Sequence, residues 1–426
     1  MTYNSASTRF TPDLLDAIRN RFAHLDTCPF EGERVFFENA GGALTLNSVV
    51  ETSAKMAAIP DNQGRDNPAA HALVSIIDKA KDDMKVFFNA PDDGMFFVGE
   101  SGTELIFRLI SVACLGSTNG GHVLGSTLEH PATRSACNRW AEIAGKPHIL
   151  VPHDDETGSV DLEHYQSKLT SETRVATILH TSPVTGMSVD VAAIAREIRA
   201  VAPECYIIVD GIQHAAHGRL DIASYGVDGY VVSPYKVFSR HGYGVAWVSN
   251  RLAKLPHDHL INAPGEPWEL GTRDTGAYAT FSDVVAYFEW LGGQVTDSTD
   301  RRTRIVAAGE AIHAHEKALT KAMLYGVGNL KGISELEGIQ IIGGVENPRR
   351  EGLVSFAMQG QASPEVVTKL RERGVRVHTR KADHYSGNIL DPLGLSDAVR
   401  VSMCHYNSEA EVARFLQAMQ EIVNET

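Results

Sequence analysis

The sequence predicts an α/β protein, with a large domain on a mainly parallel mixed sheet and a small α+β domain after it. Three observations predict this. Short apolar runs alternate with segments of helical period through most of the chain. Residues 205–250 carry three strand-length apolar runs, each ending in polar residues or glycine. The polar stretch TDSTDRRTR at 296–304 shifts the composition and marks a boundary. Residues 31–295 therefore read as the large domain and 296–426 as the small one. Residues 1–30 read as a helical arm packing with the small domain.

Elements follow in order. Leu14, Leu15, Ile18, Phe22 and Leu25 have helical spacing over 11–25, with Thr11-Pro12 as a helix start. Val35-Phe36-Phe37 reads as a short strand leading into the turn Glu38-Asn39-Ala40-Gly41-Gly42. The polar loop DNQGRDN at 61–67 precedes a helix running to residue 88. Strands follow at 95–98, 122–125, 147–152 and 175–180, with a helix from about Gly102 to 115, one at 161–169 and one at 191–201. The central runs are YIIV ending at Asp210, YVV ending at Ser233-Pro234-Tyr235-Lys236, and VAWV after His241-Gly242-Tyr243-Gly244. Such continuous β-branched runs read as strands covered on both faces. Residues 262–278 read as a loop. A long helix follows the boundary at 296–304 and runs to about 326, followed by strands at 339–343, 352–357, 375–378 and 399–402 and helices at 364–373 and 409–423.

Composition excludes several classes. A net charge of −14 argues against a nucleic-acid or anionic-membrane surface. No apolar run approaches the roughly 18 residues of a membrane span. The opening MTYNSASTRF has no apolar core of a secretory signal, so a cytoplasmic location is expected. The five cysteines are odd in number and show no C-x-x-C pairing, so neither a disulfide framework nor a zinc site is expected. The histidines show no H-E-x-x-H spacing, and no metal is expected.

In open α/β sheets, ligands sit beyond the carboxyl ends of strands. Asp210, Gln213 and Lys236 lie at such ends. Pyridoxal phosphate needs a lysine amine to carry it and an acid to hold its ring nitrogen protonated. A desolvated lysine is also a better nucleophile. The same residues have plainer roles, since an aspartate after a strand is often a cap and a lysine in a glycine-rich loop is often solvated. The turn Ser101-Gly102-Thr103 opens a helix, where free N–H groups and the dipole favour a phosphate; simple capping by Ser101 or Thr103 is the alternative.

Taken together, Asp210-Gly211-Ile212-Gln213 with His217, then Ser233-x-x-Lys236, then Gly242-x-Gly244, resembles the class V aminotransferase and cysteine desulfurase family. The resemblance runs from about Phe36 to the C-terminus. It implies the aspartate-aminotransferase-like fold and pyridoxal 5'-phosphate as cofactor. It places Lys236 as the carrier of the cofactor and the proton. Asp210, Gln213 and Ser233 fall at the ring, and Gly102 and Thr103 at the phosphate. In Glu129-His130-Pro131-Ala132, His130 would stack on the ring and join in proton transfer. The segment Asn67 to His71 would lie near the site. Thr272, in Glu269-x-Gly271-Thr272, would reach the phosphate of a neighbouring subunit, which implies a homodimer with shared sites. Arg273, next to it, would contact substrate or phosphate. In Arg400-x-Ser402, followed by Tyr406-Asn407, the guanidinium would hold the substrate carboxylate, and Asn39 would also lie at the substrate.

The sequence departs from the desulfurase pattern in three places. Tyr235 stands where many desulfurases have histidine. Pro183 stands where an asparagine usually contacts the ring hydroxyl, leaving Gln213 for that contact. The segment 378–388, HTRKADHYSGN, has no cysteine to accept sulfur, and Cys404 lies beyond Arg400. Instead it offers Arg380, Lys381, Asp383 and His384 to a polar or acidic side chain. The resemblance thus implies an aminotransferase acting on a small α-amino acid first. A cysteine-independent β-elimination lyase or an epimerase comes second, and a non-catalytic binding protein third.

Overall fold

The computed structural model describes residues 10–263, 267–272 and 274–425. Its centre is a seven-stranded sheet. The strands are β1 (Gly94–Gly99), β2 (His122–Ser126), β3 (His148–Val151), β4 (Thr173–Leu179), β5 (Tyr206–Asp210), β6 (Gly229–Val232) and β7 (Gly244–Ser249), in the order β1-β7-β6-β5-β4-β2-β3. Only β7 runs against its neighbours; the other pairings are parallel. The sheet is apolar on both faces because each face packs on a separate core. Ile207 and Val209 of β5 join the core that includes Val98, Leu124 and Val245. Ile208, between them, joins Leu105, Leu109, Cys137 and Val231 on the other side. Successive strand residues point to opposite faces, so a continuous apolar run is what a doubly covered strand requires.

The C-terminal part carries a four-stranded sheet of β8 (Ile339–Ile341), β9 (Leu353–Met358), β10 (His378–Lys381) and β11 (Asp397–Ser402), ordered β8-β9-β11-β10 and antiparallel throughout. Val354, Phe356, Val399 and Val401 pack against Val366 and Leu370 of the helix Ser363–Glu372 and Phe415 and Met419 of the helix Glu409–Asn424. Val35 and Phe37, near the other end of the chain, enter the same core. Val35–Phe36 pairs with Val375–Arg376, which brings the turn after Phe37 to β11.

Three expectations change. The first helix covers only Pro12–Arg19, because Phe22 leaves the helical path to bury against Phe238 and Tyr406. Residues 378–381, read as part of a loop, form β10: the polar run HTRK pairs along β11, where ladder hydrogen bonds outweigh composition. The expected loop at 262–278 gives way to a helix at Thr275, capped by Asp274, while Arg273 lies outside the described residues. Among the described residues no helix is long and apolar enough to cross a membrane.

Candidate active site

The carboxyl ends of β1, β2, β4, β5 and β6 open on one side of the sheet. Thr103, His130, Leu179, Pro183, Asp210, Ile212, Gln213, Ser233, Tyr235 and Lys236 line a single cleft there. The fold thus gathers Asp210, Gln213, Lys236, His130, Ser233 and Thr103 from four separate stretches of sequence.

Asp210 is the last residue of β5 and is buried. Its two oxygens accept from the Ile212 N–H at 3.2 Å and the Thr133 hydroxyl at 3.1 Å. Burial raises its pKa, and those two hydrogen bonds and Lys236 pull the other way. A cation beside it would therefore be strongly held. Lys236 ends a short 3₁₀ turn, Pro234–Lys236, after β6. Its Nζ donates to Gln213 Oε1 at 3.3 Å. Burial, then the charge of Arg400, lowers its pKa to about 8. About a tenth of the amine is therefore free base at pH 7, far more than for an ordinary lysine.

His130 caps the helix Pro131–Ile143, its Nδ1 accepting from the Ala132 N–H at 3.1 Å. Burial and the Lys236 charge hold it at about 3, so it is a neutral imidazole. Behind Gln213 sits a buried pair, His217 Nδ1 and Glu316 Oε2 at 2.8 Å, with Gln213 Nε2 and His217 Nε2 3.3 Å apart.

Gly102 begins the helix Gly102–Gly116, with Ser101 as its cap. A first turn leaves the Gly102 and Thr103 N–H groups without intrahelical acceptors. A Cβ on Gly102 would come within 2.3 Å of Ser233 Oγ and 2.6 Å of Ile212 Cδ1. A side chain here would have to displace those of Ser233 and Ile212, so glycine lets this helix start sit against the turn that carries Lys236.

Arg400, on β11, is buried and donates through Nη1 to the Pro183 carbonyl at 3.0 Å. Its Nε has no hydrogen-bond partner among the described residues. Burial, then the nearby Arg380 charge, lowers its pKa to about 9. An anion is the partner such a group lacks. These features fit pyridoxal phosphate and an amino acid. Asp210 offers a buried acid, Lys236 an amine of lowered pKa, Gly102 a close-packed helix start and Arg400 a buried guanidinium whose Nε is unpartnered among the described residues.

Other expected residues lie elsewhere. The Asn39 side chain is engaged within the protein: its Nδ2 donates to the Ser402 carbonyl at 2.8 Å and its Oδ1 accepts from Tyr406. The turn after it faces the site instead, with Gly41 against Arg400 and Gly42 against Tyr235. Asn67 caps the helix Pro68–Phe88, and His71 is exposed beside Asp66. Thr272 is exposed and lines a separate hollow with Met56, Gln63 and Gly276. Glu269 accepts from the Val98 N–H and from Tyr278. One residue escaped the sequence reading. Thr133, which holds Asp210, stands three residues after His130, in the first turn of the helix that histidine caps. Tyr235 lines the cleft and stacks on His241 at 4.3 Å.

A model of the family described as "Aminotransferase class-V" matches residues 35–289 and 303–415. The chain is 27% identical over 410 residues to a nonribosomal peptide synthetase-like enzyme of Aspergillus fumigatus, a match covering 91% of this chain and 25% of that protein. The chain thus spans about a quarter of that relative. It is 25% identical over 436 residues to an aminotransferase-like protein of Gibberella zeae, covering 96% of this chain and 98% of that one. Among solved structures it resembles the cysteine desulfurase CsdA of Escherichia coli, with a TM-score of 0.77 at 21% identity over 96% of this chain and 98% of that one.

Proposed function

The chain belongs to the class-V aminotransferase family, and from that premise we propose that it is a pyridoxal-phosphate-dependent aminotransferase acting on a small α-amino acid. The observation that carries this reading is the convergence of Lys236, Asp210 and His130 on one cleft. The bound cofactor supplies an electron sink for the substrate α-carbon. Lys236 holds it and moves a proton at Nζ, the amine being near its own pKa at neutral pH. Asp210 holds the positive ring nitrogen, with Thr133 and the Ile212 N–H keeping its carboxylate in place. Gly102 and Thr103 offer backbone N–H groups to the phosphate. His130, a neutral imidazole lining the cleft, would contact the cofactor without adding charge. Gln213 and Ser233 complete the polar wall, and Arg400 takes the substrate carboxylate.

Sulfur transfer by a cysteine does not fit. The 378–388 segment has none, and Cys404 is buried with its thiol pKa pushed well up. The exposed position of Thr272, away from its own cleft, supports a homodimer in which it serves the neighbouring site. The test is the keto-acid requirement. Purified holoenzyme given a panel of L-amino acids should turn over only when a 2-keto acid is supplied. Release of ammonia and keto acid without an acceptor would contradict transamination and favour an eliminating lyase.

A further inference from the structure

Arg400 has a neighbour of its own kind. In the β10–β11 ladder His378 stands opposite Arg400, and Arg380 opposite Ala398. Residues two apart on a strand share a face, so Arg380 and Arg400 are diagonal neighbours on one side of the small sheet. Diagonal neighbours lie about 7–8 Å apart and are within reach of long side chains. Beyond burial, the leading cause in each, the Arg380 charge also lowers the pKa of Arg400, Lys236 and His130, in keeping with that placement.

Neither guanidinium forms an ion pair with a carboxylate among the described residues, although the Glu38 charge acts on Arg400 from a distance. Arg380 donates through Nε to Ser386 Oγ at 2.8 Å, and its two terminal nitrogens have no partner among the described residues. Tyr385 lies beneath it, 5.7 Å from ring centre to guanidinium carbon. Burial lowers the Arg380 pKa, and Asp383, which acts the other way, forms no ion pair with it among the described residues. Elsewhere the chain treats its arginines differently. Arg376, on the adjoining segment, pairs with Glu38 and Glu31, and Arg301 with Asp83 and Glu289. Buried Arg350 donates through both terminal nitrogens to backbone carbonyls, among them Thr185 and Ile342, while its Nε, like that of Arg400, has no partner among the described residues. Two neighbouring cations that lack a directly paired anion repel one another in the free protein. An anionic ligand with two charged groups offsets that repulsion.

Resting on the reading of this cleft as an amino-acid site, we infer that the substrate is an acidic α-amino acid. Arg400 holds the α-carboxylate and Arg380 the second anionic group on the side chain. One carboxylate would leave one guanidinium bare, and a neutral side chain would do the same. The chemical class is therefore an amino acid with a side-chain carboxylate or a similar oxyanion. Arg380 is the residue that selects it.

Equilibrium binding of unreactive acids to the holoenzyme tests this apart from turnover. Succinate and glutarate, with two carboxylates, are compared with propionate and butyrate by calorimetry. The dicarboxylates should bind about ten- to a hundredfold more tightly, as one more charge-assisted hydrogen-bonded pair provides. Arg380→Gln should bring the two classes level, and Arg380→Lys, which keeps the charge, should retain part of the preference. kcat/KM for L-aspartate or L-glutamate against L-alanine should fall in step. If Arg380→Gln does not fold, the wild-type preference and the Lys variant decide. Equal binding of both classes by a holoenzyme that converts neutral amino acids would overturn this inference and leave the aminotransferase reading standing. A protein that takes up no cofactor would overturn the aminotransferase reading and this one with it.

Discussion

Glu129, beside His130, is buried, and its carboxylate accepts from the Thr177 hydroxyl and the Ser126 N–H. Burial raises its pKa to about 7 against an ordinary 4.5. For an acid with a raised folded pKa, the stabilising contribution is present below the unfolded value and is lost as pH climbs through the folded one. Glu129→Gln should therefore stabilise the protein at pH 8 by up to roughly 3 kcal/mol and change little at pH 4.5. Denaturant titrations at the two values check this; an equal effect at both would contradict it. His130 has the opposite sign. Its folded value of about 3 lies below 6.5, so its contribution is present above pH 6.5 and lost as pH falls toward 3. Residues such as Asp210 and Lys236 were legible in sequence because each closes a strand-like run, and chemistry ties an acid to a lysine there. Thr133 was not, since nothing in a lone threonine shows which carboxylate it will meet across 77 positions.

Elements place those residues, and one close junction is the start of the helix Gly102–Gly116 against the turn Pro234–Lys236. A methyl on Gly102 meets Ser233 Oγ and Ile212 at distances no side chain tolerates, so the helix start or the turn must shift. Gly102→Ala should cost about 1–3 kcal/mol and weaken cofactor retention. Thermal melting and dialysis against buffer measure both effects, and a variant unchanged in both would contradict the packing. Central strands were readable because burial on two faces writes itself as an unbroken apolar run. The strand His378–Lys381 was not, because at the sheet edge backbone pairing with Asp397–Ser402 overrides a polar composition. That misreading mattered, since only the paired register puts Arg380 beside Arg400.

At the scale of the whole molecule, the site lies where distant parts of the chain meet. Val35 and Phe37 pack in the core of the C-terminal sheet, so the turn after them lies against Arg400 and Tyr235. The sequence named this turn for Asn39, but long-range packing, invisible to local pattern, uses that side chain as a strut between Ser402 and Tyr406. Thr272 likewise has no place in its own cleft, which is why we propose a shared site in a homodimer. All of this depends on one claim, that Lys236 carries pyridoxal phosphate. The visible absorption spectrum of the purified protein incubated with the cofactor, beside Lys236→Ala, tests it most directly. The account predicts a band that survives dialysis in the wild type, is absent from the variant, and changes when an acidic α-amino acid is added. A wild-type protein that dialyses free of cofactor, or a Lys236→Ala variant with the same stable band, would contradict it.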